Sequence, residues 1–366
     1  MSKDIKNYKY FFIPIFLGLI SCQFIGPNSS QKNDNDSDAT FIYYQILENH
    51  PGVYNQEDPE FKNNLDTHYL IAKKSLNQAK TKEQRRAVLE NFARSFNDTH
   101  VWISWHKKDN ICSKKLERDK ISIKNIFPKI VWIKLKTFDL RQAERQLQTL
   151  LEKIASYRNY SAIVFDLREN SGGNSDYGSK IVRALFSEKY AKQHYTRATA
   201  ETYVDWRASL DNLFHIQQLL KSFPNEWIKK TEDGMKKSLK NKEIYYREFF
   251  NNLYCQNTGK NPVQAKIIVI IDKYNMSASL DFVDELKMMH HNITLIGEKT
   301  KSDRLYMEVR TVKLPSRLGE FSFPIKVYRK RIRGDNVSYY PDFEIDTNCT
   351  QKLENFVIDG VTKLKF

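Results

Sequence analysis

The chain has 366 residues, with 59 Lys and Arg against 44 Asp and Glu, a formal net charge of +15, 40% apolar and 13% aromatic residues. That apolar content exceeds what a disordered chain carries and suffices for one or two buried cores, so a largely unfolded protein is excluded. The one long apolar run, Tyr10 to Ile20, falls well short of the roughly 20 residues a membrane-spanning helix needs, which excludes a polytopic membrane protein.

That run follows lysines at positions 3, 6 and 9 and ends in Leu19-Ile20-Ser21-Cys22. A charged start, a short apolar middle and a small-residue end are the parts of a secretory signal peptide. An ordinary signal peptide or a buried apolar N-terminal segment would share most of these features. The Leu-x-small-Cys ending resembles a bacterial lipobox, and the resemblance implies cleavage before Cys22 and diacylglyceryl transfer to its thiol. Residues 1–21 are then a lipoprotein signal peptide, and the polar residues 22–40 a flexible tether. The expected location is across the inner membrane, lipid-anchored in the cell envelope, in the periplasm or at the outer membrane. With Cys22 lipidated, the remaining Cys112, Cys255 and Cys349 form at most one disulfide. No CxxC and no histidine spacing points to a metal.

Residues 41–125 read as a small N-terminal helical domain. Leu65, Leu70, Ile71, Leu76, Ala79, Ala87, Leu89, Phe92 and Phe96 recur at three- and four-residue steps among charges. A basic stretch from His106 to Lys124 has little strand character. Lys129 to Leu135 then alternates as a strand, Gln142 to Ile154 has helical spacing, and Ser161 to Leu167 is a buried strand running into glycines. Strand, helix, strand is the rhythm of βα units around a sheet. A long, charged, mostly helical insertion at about 188–257 interrupts it, and such a segment on a rigid scaffold is expected to shape access to a site. Strand Lys266 to Ile271, helix Ala278 to Met289 and strand Ile293 to Ile296 resume the alternation. Tyr306 to Leu314 and Phe321 to Arg329 read as hairpin strands.

Four constellations carry chemical potential. Ser277-Ala278-Ser279 lies between a β-branched strand and an amphipathic helix, where free N–H groups and the helix dipole favour a developing negative charge. A serine there equally reads as a helix N-cap, although no Glu or Gln follows three residues later to complete a capping box. Asp166-Leu167-Arg168-Glu169-Asn170-Ser171-Gly172-Gly173 places bare backbone at the end of a buried strand, where N–H groups of Gly172 and Gly173 can meet an oxyanion or a phosphate. Nucleotide-loop spacings are absent. Asn97-Asp98-Thr99-His100 offers a histidine that also reads as a surface or core residue. Asp335 and Asp342 flank the turn Tyr339-Tyr340-Pro341, which turn chemistry alone explains.

In their order along the chain these strings resemble the S41 peptidases, the tail-specific and tricorn-core-like serine proteases. The resemblance rests on His50-Pro51-Gly52, Phe96-x-Asp98-x-His100, Asp166-Leu167-Arg168-x-Asn170-x-Gly172-Gly173, Ser277-Ala278-Ser279, Gly297-Glu298-x-Thr300 and Pro341-Asp342. It implies an α/β (α+β) fold: a ClpP/crotonase-like ββα spiral core over residues 126–366, beside the N-terminal helical domain. It also implies hydrolysis of peptide bonds in a peptide or protein substrate, with no cofactor. In the branch with a Ser-Lys dyad, the lysine would fall near Asp303, and neither Lys299 nor Lys301 is in register. The chain therefore fits the Ser-His-acid design, with Ser277 as nucleophile, His100 as base and Asp335 as the orienting acid. Gly172, Gly173 and Ala278 are the implied oxyanion donors, and Asp166 with Arg168 a structural ion pair. The family pattern has Glu at the position of Asp335, so Asp98 or Asp342 can substitute. The stretch between His100 and Lys129 is too short for the PDZ domain that many relatives carry.

Two rival classes remain at this stage. One is an inactive S41-like scaffold that binds a peptide or envelope partner. The other uses the positive charge to bind an acidic surface. The second is disfavoured because the lysines fall on solvated helical faces without a stacking motif, and no nucleic-acid partner is expected. The anchoring expectation is directly testable. Cys22→Ala should convert a detergent-extractable membrane protein into a soluble or unprocessed one, and an unlipidated mature N-terminus at another residue, read by mass spectrometry, would refute it.

Overall fold

The computed structural model describes residues 37–106, 120–140, 143–250, 259–290 and 292–363. The signal peptide, Cys22, the tether up to residue 36, Cys112 and Cys255 lie outside the described residues, and Cys349 carries a free thiol.

In chain order the helices α1 (Ser37–Asn49), α2 (Glu60–Gln78) and α3 (Lys82–Arg94) precede strand β1 (Trp102–Trp105). Then come β2 (Ile121–Phe127), β3 (Ile130–Leu135), α4 (Glu144–Ile154), β4 (Ala162–Asp166), α5 (Ser175–Phe186) and α6 (Glu188–Ala198). The middle of the chain contributes β5 (Tyr203–Arg207), α7 (Leu210–Ser222), α8 (Glu226–Lys240) and β6 (Tyr245–Phe249). Next are β7 (Lys266–Ile271), α9 (Ala278–Met289), β8 (Ile293–Gly297), β9 (Ser302–Asp303), β10 (Tyr306–Lys313) and β11 (Gly319–Arg329). Two short strands, β12 (Val337–Ser338) and β13 (Phe343–Glu344), and α10 (Thr350–Thr362) complete the described chain.

The first sheet has the order β13-β8-β7-β4-β3-β2, parallel throughout except for the antiparallel β2–β3 pair. Its central strands are apolar on both faces along most of their length, Lys134, Asp166 and Lys266 falling at or near strand ends, because both faces are covered. Ile163 and Phe165 of β4, with Ile267, Val269 and Ile271 of β7, pack beneath α4, α5 and α9. The alternate residues Ala162, Val164, Ile268 and Ile270 face Leu353, Val357 and Val361 of α10. These are the βα units expected from the sequence, and the fold is a mixed α/β one.

The second sheet is antiparallel. In it β11 pairs with β10 along one side and with β1 and then β5 on the other, and β5 pairs with β6. Its core joins Ile42, Leu65 and Phe92 of α1–α3 to Val204, Trp206, Ile216 and Ile228 of the middle segment and to Phe321 and Phe323 of β11. Residues 41–125 therefore do not stand as a helical domain of their own. They share one core with the insertion and with the late hairpin, and β2 leaves them for the first sheet. Helix α1 begins at Ser37, inside the expected tether. The insertion likewise carries two paired strands, and its lysines on α8 pair locally, Lys229 with Asp233 and Lys236 with Glu232.

An insertion that completes a core should behave as part of the fold and not as a loosely attached lid. Trp206 is fully buried and donates from Nε1 to Glu248 at 2.9 Å. Trp206→Ala is expected to cost about 3–5 kcal/mol of unfolding free energy in urea titration, from the cavity and the orphaned carboxylate. Near-native stability would mean that the insertion unfolds independently.

Candidate active site

Strands β4 and β7 run in parallel register, Asp166 opposite Ile270, so both end at one edge of the sheet and send their loops to the same place. The loop after β4 is held from below. Arg168 grips Asp166 through two contacts of 2.8 and 2.6 Å and donates onward to the Thr347 carbonyl at 2.7 Å, which is the expected structural ion pair. Asn170 Nδ2 donates to the Leu135 carbonyl, and its Oδ1 accepts the Gly172 N–H, both at 2.9 Å. Gly172 and Gly173 have φ of +99° and +136°, and any side chain at Gly173 would strike the Phe138–Asp139 peptide within 2.5 Å. Only glycine satisfies both demands.

The loop after β7 leads into α9 through Ser277, at φ 56° and ψ −128°. Such a conformation costs a non-glycine residue of order 1–3 kcal/mol and persists only where neighbours impose it. Ser277 makes no side-chain capping bond, so its Oγ is free of the N-cap role that the sequence left open. Gly172 lies against it: a Cβ added there would come within 2.9 Å of Ser277 Cβ and 3.1 Å of Ala278 N. Both carboxylate oxygens of Asp303 stand 3.0 Å from Ser277 N.

His100 arrives from the other core, on the turn between α3 and β1. Asp98 shapes that turn by accepting the His100 N–H at 2.8 Å. The ring is buried, 3% exposed against 5% for Ser277. Its Nε2 stands 3.3 Å from Ser277 Oγ. Its Nδ1 lies 3.2 Å from Asp98 Oδ1, an ion-pair distance without the alignment of a good hydrogen bond. Burial alone would lower the imidazole pKa, but the Asp98 carboxylate, with Asp303 and Asp281 further off, outweighs burial and holds it above the ordinary histidine value. His50, of the His50-Pro51-Gly52 string, accepts the Gly52 N–H on Nδ1 and stacks on Phe61 at 4.5 Å. Burial pushes its pKa down to about 3, so it stays neutral, with the Asp98 charge opposing the shift.

Two expected assignments need correction. No hydrogen bond or ion pair among the described residues joins Asp335 to His100. Its carboxylate is 41% exposed, pairs with Arg304 Nε at 3.0 Å and accepts the Leu305 N–H at 2.8 Å. Asp342 is committed too, accepting the Leu295 N–H at 2.7 Å. Asp98 is the carboxylate beside the ring. Gly172 is the second correction, because its N–H already serves Asn170; the N–H groups of Gly173 and Ala278 have no partner among the described residues.

Asn275 and Asp303 carry no sequence signal yet hold the site. Asn275 is fully buried, and its Nδ2 donates to the carbonyls of Leu167 and Asn170 at 2.6 and 3.0 Å while its Oδ1 accepts from Asp272 N at 2.7 Å. Asn275→Ala should lower stability by about 2–4 kcal/mol, read by thermal or chemical unfolding, since it strands buried backbone groups on two loops. A cost within about 0.5 kcal/mol would show that the loops hold their places without it.

The sequence matches peptidase family S41 over residues 129–345, more than half of the chain. No protein with a curated description matches it. Among solved structures, mature CPAF complexed with lactacystin superposes with a TM-score of 0.56 at 10% identity, covering 90% of this chain and 99% of that one. A candidate peptidase from Parabacteroides merdae gives 0.51 at 13% identity, covering 90% and 97%. At such identities the likeness is one of fold, and the family match carries the assignment: the chain belongs to peptidase family S41 and is a peptidase.

Proposed function

We propose that the protein cleaves peptide bonds as a serine endopeptidase with Ser277 as nucleophile, His100 as general base and acid, and Asp98 as the acid that orients the histidine. The observation that carries this reading is the 3.3 Å approach of Ser277 Oγ to His100 Nε2, between a hydroxyl spared from capping and a buried imidazole.

With Nε2 as acceptor, the proton of the neutral ring sits on Nδ1, the nitrogen 3.2 Å from Asp98 Oδ1. Ser277 Oγ attacks the scissile carbonyl carbon as its proton passes to Nε2. The imidazolium that forms is stabilised by Asp98, and the oxyanion is met by the N–H groups of Gly173 and Ala278, each worth about 3 kcal/mol. His100 returns the proton to the leaving amine. Water then repeats the sequence on the acyl-enzyme and regenerates Ser277. The N-terminal string Leu19-Ile20-Ser21-Cys22 supports lipid anchoring in the bacterial cell envelope, and envelope peptides or proteins are the substrates consistent with that reading.

A fluorophosphonate should label Ser277, located by peptide mass spectrometry. Ser277→Ala should abolish labelling and cleavage with the fold intact. Asp98→Asn should lower kcat by about 1,000-fold or more, whereas Asp335→Asn should stay within about threefold of wild type. The reverse ranking of the two aspartates would restore Asp335 as the orienting acid. Because the folded His100 pKa lies above its ordinary value, the acid limb of kcat/KM should lie above pH ~6.5, with activity lost as the pH falls through it.

A further inference from the structure

Asp303 takes no direct part in the proton and acyl transfers, yet it is committed to the nucleophile itself. It sits on β9, its side chain fully shielded from solvent, and gives both oxygens to one donor, the backbone N–H of the nucleophile, at 3.0 Å each. The strand that carries it is pinned by pairing with Val337 on β12 and by the Asn336 N–H, which reaches the Asp303 carbonyl at 2.8 Å. From behind, Arg333 Nη2 stands 3.3 Å from Oδ2 and links Asp303 to Asp281 and Asp284 of α9 at 3.3 and 3.1 Å.

A carboxylate at a helix N-terminus is ordinary stabilisation. Two facts set this one apart. First, it clamps the backbone of the residue whose φ of 56° sets the direction of Oγ. Second, it stands 3.0 Å from the backbone N of the same residue whose Oγ lies 3.3 Å from His100 Nε2, so a buried negative charge sits one residue away from the ring and raises its pKa. The clamp also removes the Ser277 N–H from oxyanion binding, leaving Ala278 and Gly173 to that task.

We propose that Asp303 is a positioning residue for acyl transfer: it locks the Ser277 backbone so that Oγ meets His100, and it is the second anion, after Asp98, that favours the imidazolium. The inference rests on the Ser277–His100 reading above.

The charged groups around the ring are Asp98 on its own turn, Asp281 on α9 and Asp303 on β9. Arg333 sits behind Asp303, Arg331 is bonded to Asp281 and Asp284, and Arg304 lies toward Asp98. Arg333 offsets part of the Asp303 charge, so removing that charge should shift the histidine by about one pH unit or less. Asp303→Asn keeps an oxygen for the Ser277 N–H but loses the charge. It should move the acid limb of fluorophosphonate labelling to lower pH and reduce kcat about tenfold, with KM within about twofold. Asp303→Ala loses clamp and charge together, and kcat should fall about 100-fold or more. Asp303→Glu keeps the charge on a longer stem and should retain the wild-type limb while kcat stays low.

Rates are normalised to folded protein by circular dichroism, and either the Asn or the Glu variant suffices for the pH readout. Wild-type kcat and an unmoved limb in folded Asp303→Asn, or a limb in Asp303→Glu displaced as far as in a charge-free variant, would overturn the inference. A wild-type protein that is not labelled at Ser277 would instead overturn the Ser277–His100 reading and this inference with it.

Discussion

The active site depends on one buried amide. Asn275 joins the loop after β4 to the loop after β7 through its contacts with Leu167, Asn170 and Asp272, and its own carbonyl accepts the Lys301 N–H at 3.1 Å. Two loops far apart in the chain are thus referred to one side chain, and the segment before β9 to the backbone of the same residue. These groups lie outside the strand ladders, and the Asn170 carbonyl and the Asp272 N–H would cost free energy if left dry and unpaired. The parallel register of β4 and β7 brings the loops to the same level. Asn275 turns that proximity into a fixed distance between the glycine backbone and the nucleophile.

Electrostatics around the site run against the composition of the chain. A protein with a formal charge of +15 surrounds its active histidine with Asp98, Asp281 and Asp303. Burial disfavours the charged ring, but Asp98 at 3.2 Å, with Asp303 and Asp281 adding to it in a poorly hydrated place, outweighs burial. Arg331 and Arg333 keep that cluster from being a net liability by pairing with Asp281, Asp284 and Asp303. The lysines of α8 belong to a different account. Lys229 and Lys236 are half-exposed, pair with acids of their own helix and lie in the high dielectric of solvent, where screening leaves such pairs worth little.

Much of the parallel sheet was legible in the sequence because strands buried on both faces read as continuous apolar runs, as in Ile267 to Ile271. The Gly-Gly turn and Ser-Ala-Ser were legible as well, since their residue types answer local demands of backbone geometry and of the helix terminus. The antiparallel sheet was harder. Strands β1, β5 and β6 are four or five residues long, with burial that does not alternate cleanly, so their pattern merges with the helices around them. The acid was misplaced for a different reason. Asp98, two residues before His100, has the appearance of a turn former, and it does shape the turn; its second role depends on which way the ring faces. Asp303 and Asn275 act on backbone N–H and C=O groups, which every residue possesses, so no residue pattern announces their partners.

Nucleophile and base come from different cores. Ala278 beside Ser277 packs with the parallel sheet, while Phe96 and Val101 around His100 pack with the antiparallel one. The 3.3 Å between Oγ and Nε2 is therefore a measure of how the two cores are seated. The joints near the site are largely polar: Arg331 and Arg333 reach α9, Asp303 reaches Ser277, and Arg304 spans Asp58 and Asp335. Apolar surfaces tolerate small slides at little cost, whereas a buried guanidinium that leaves its carboxylate exposes both to a large desolvation penalty. Such pairs add little net stability and strongly disfavour any other seating. The ion pairs thus give the dyad its geometry, and the apolar cores on either side supply the free energy that holds the chain folded.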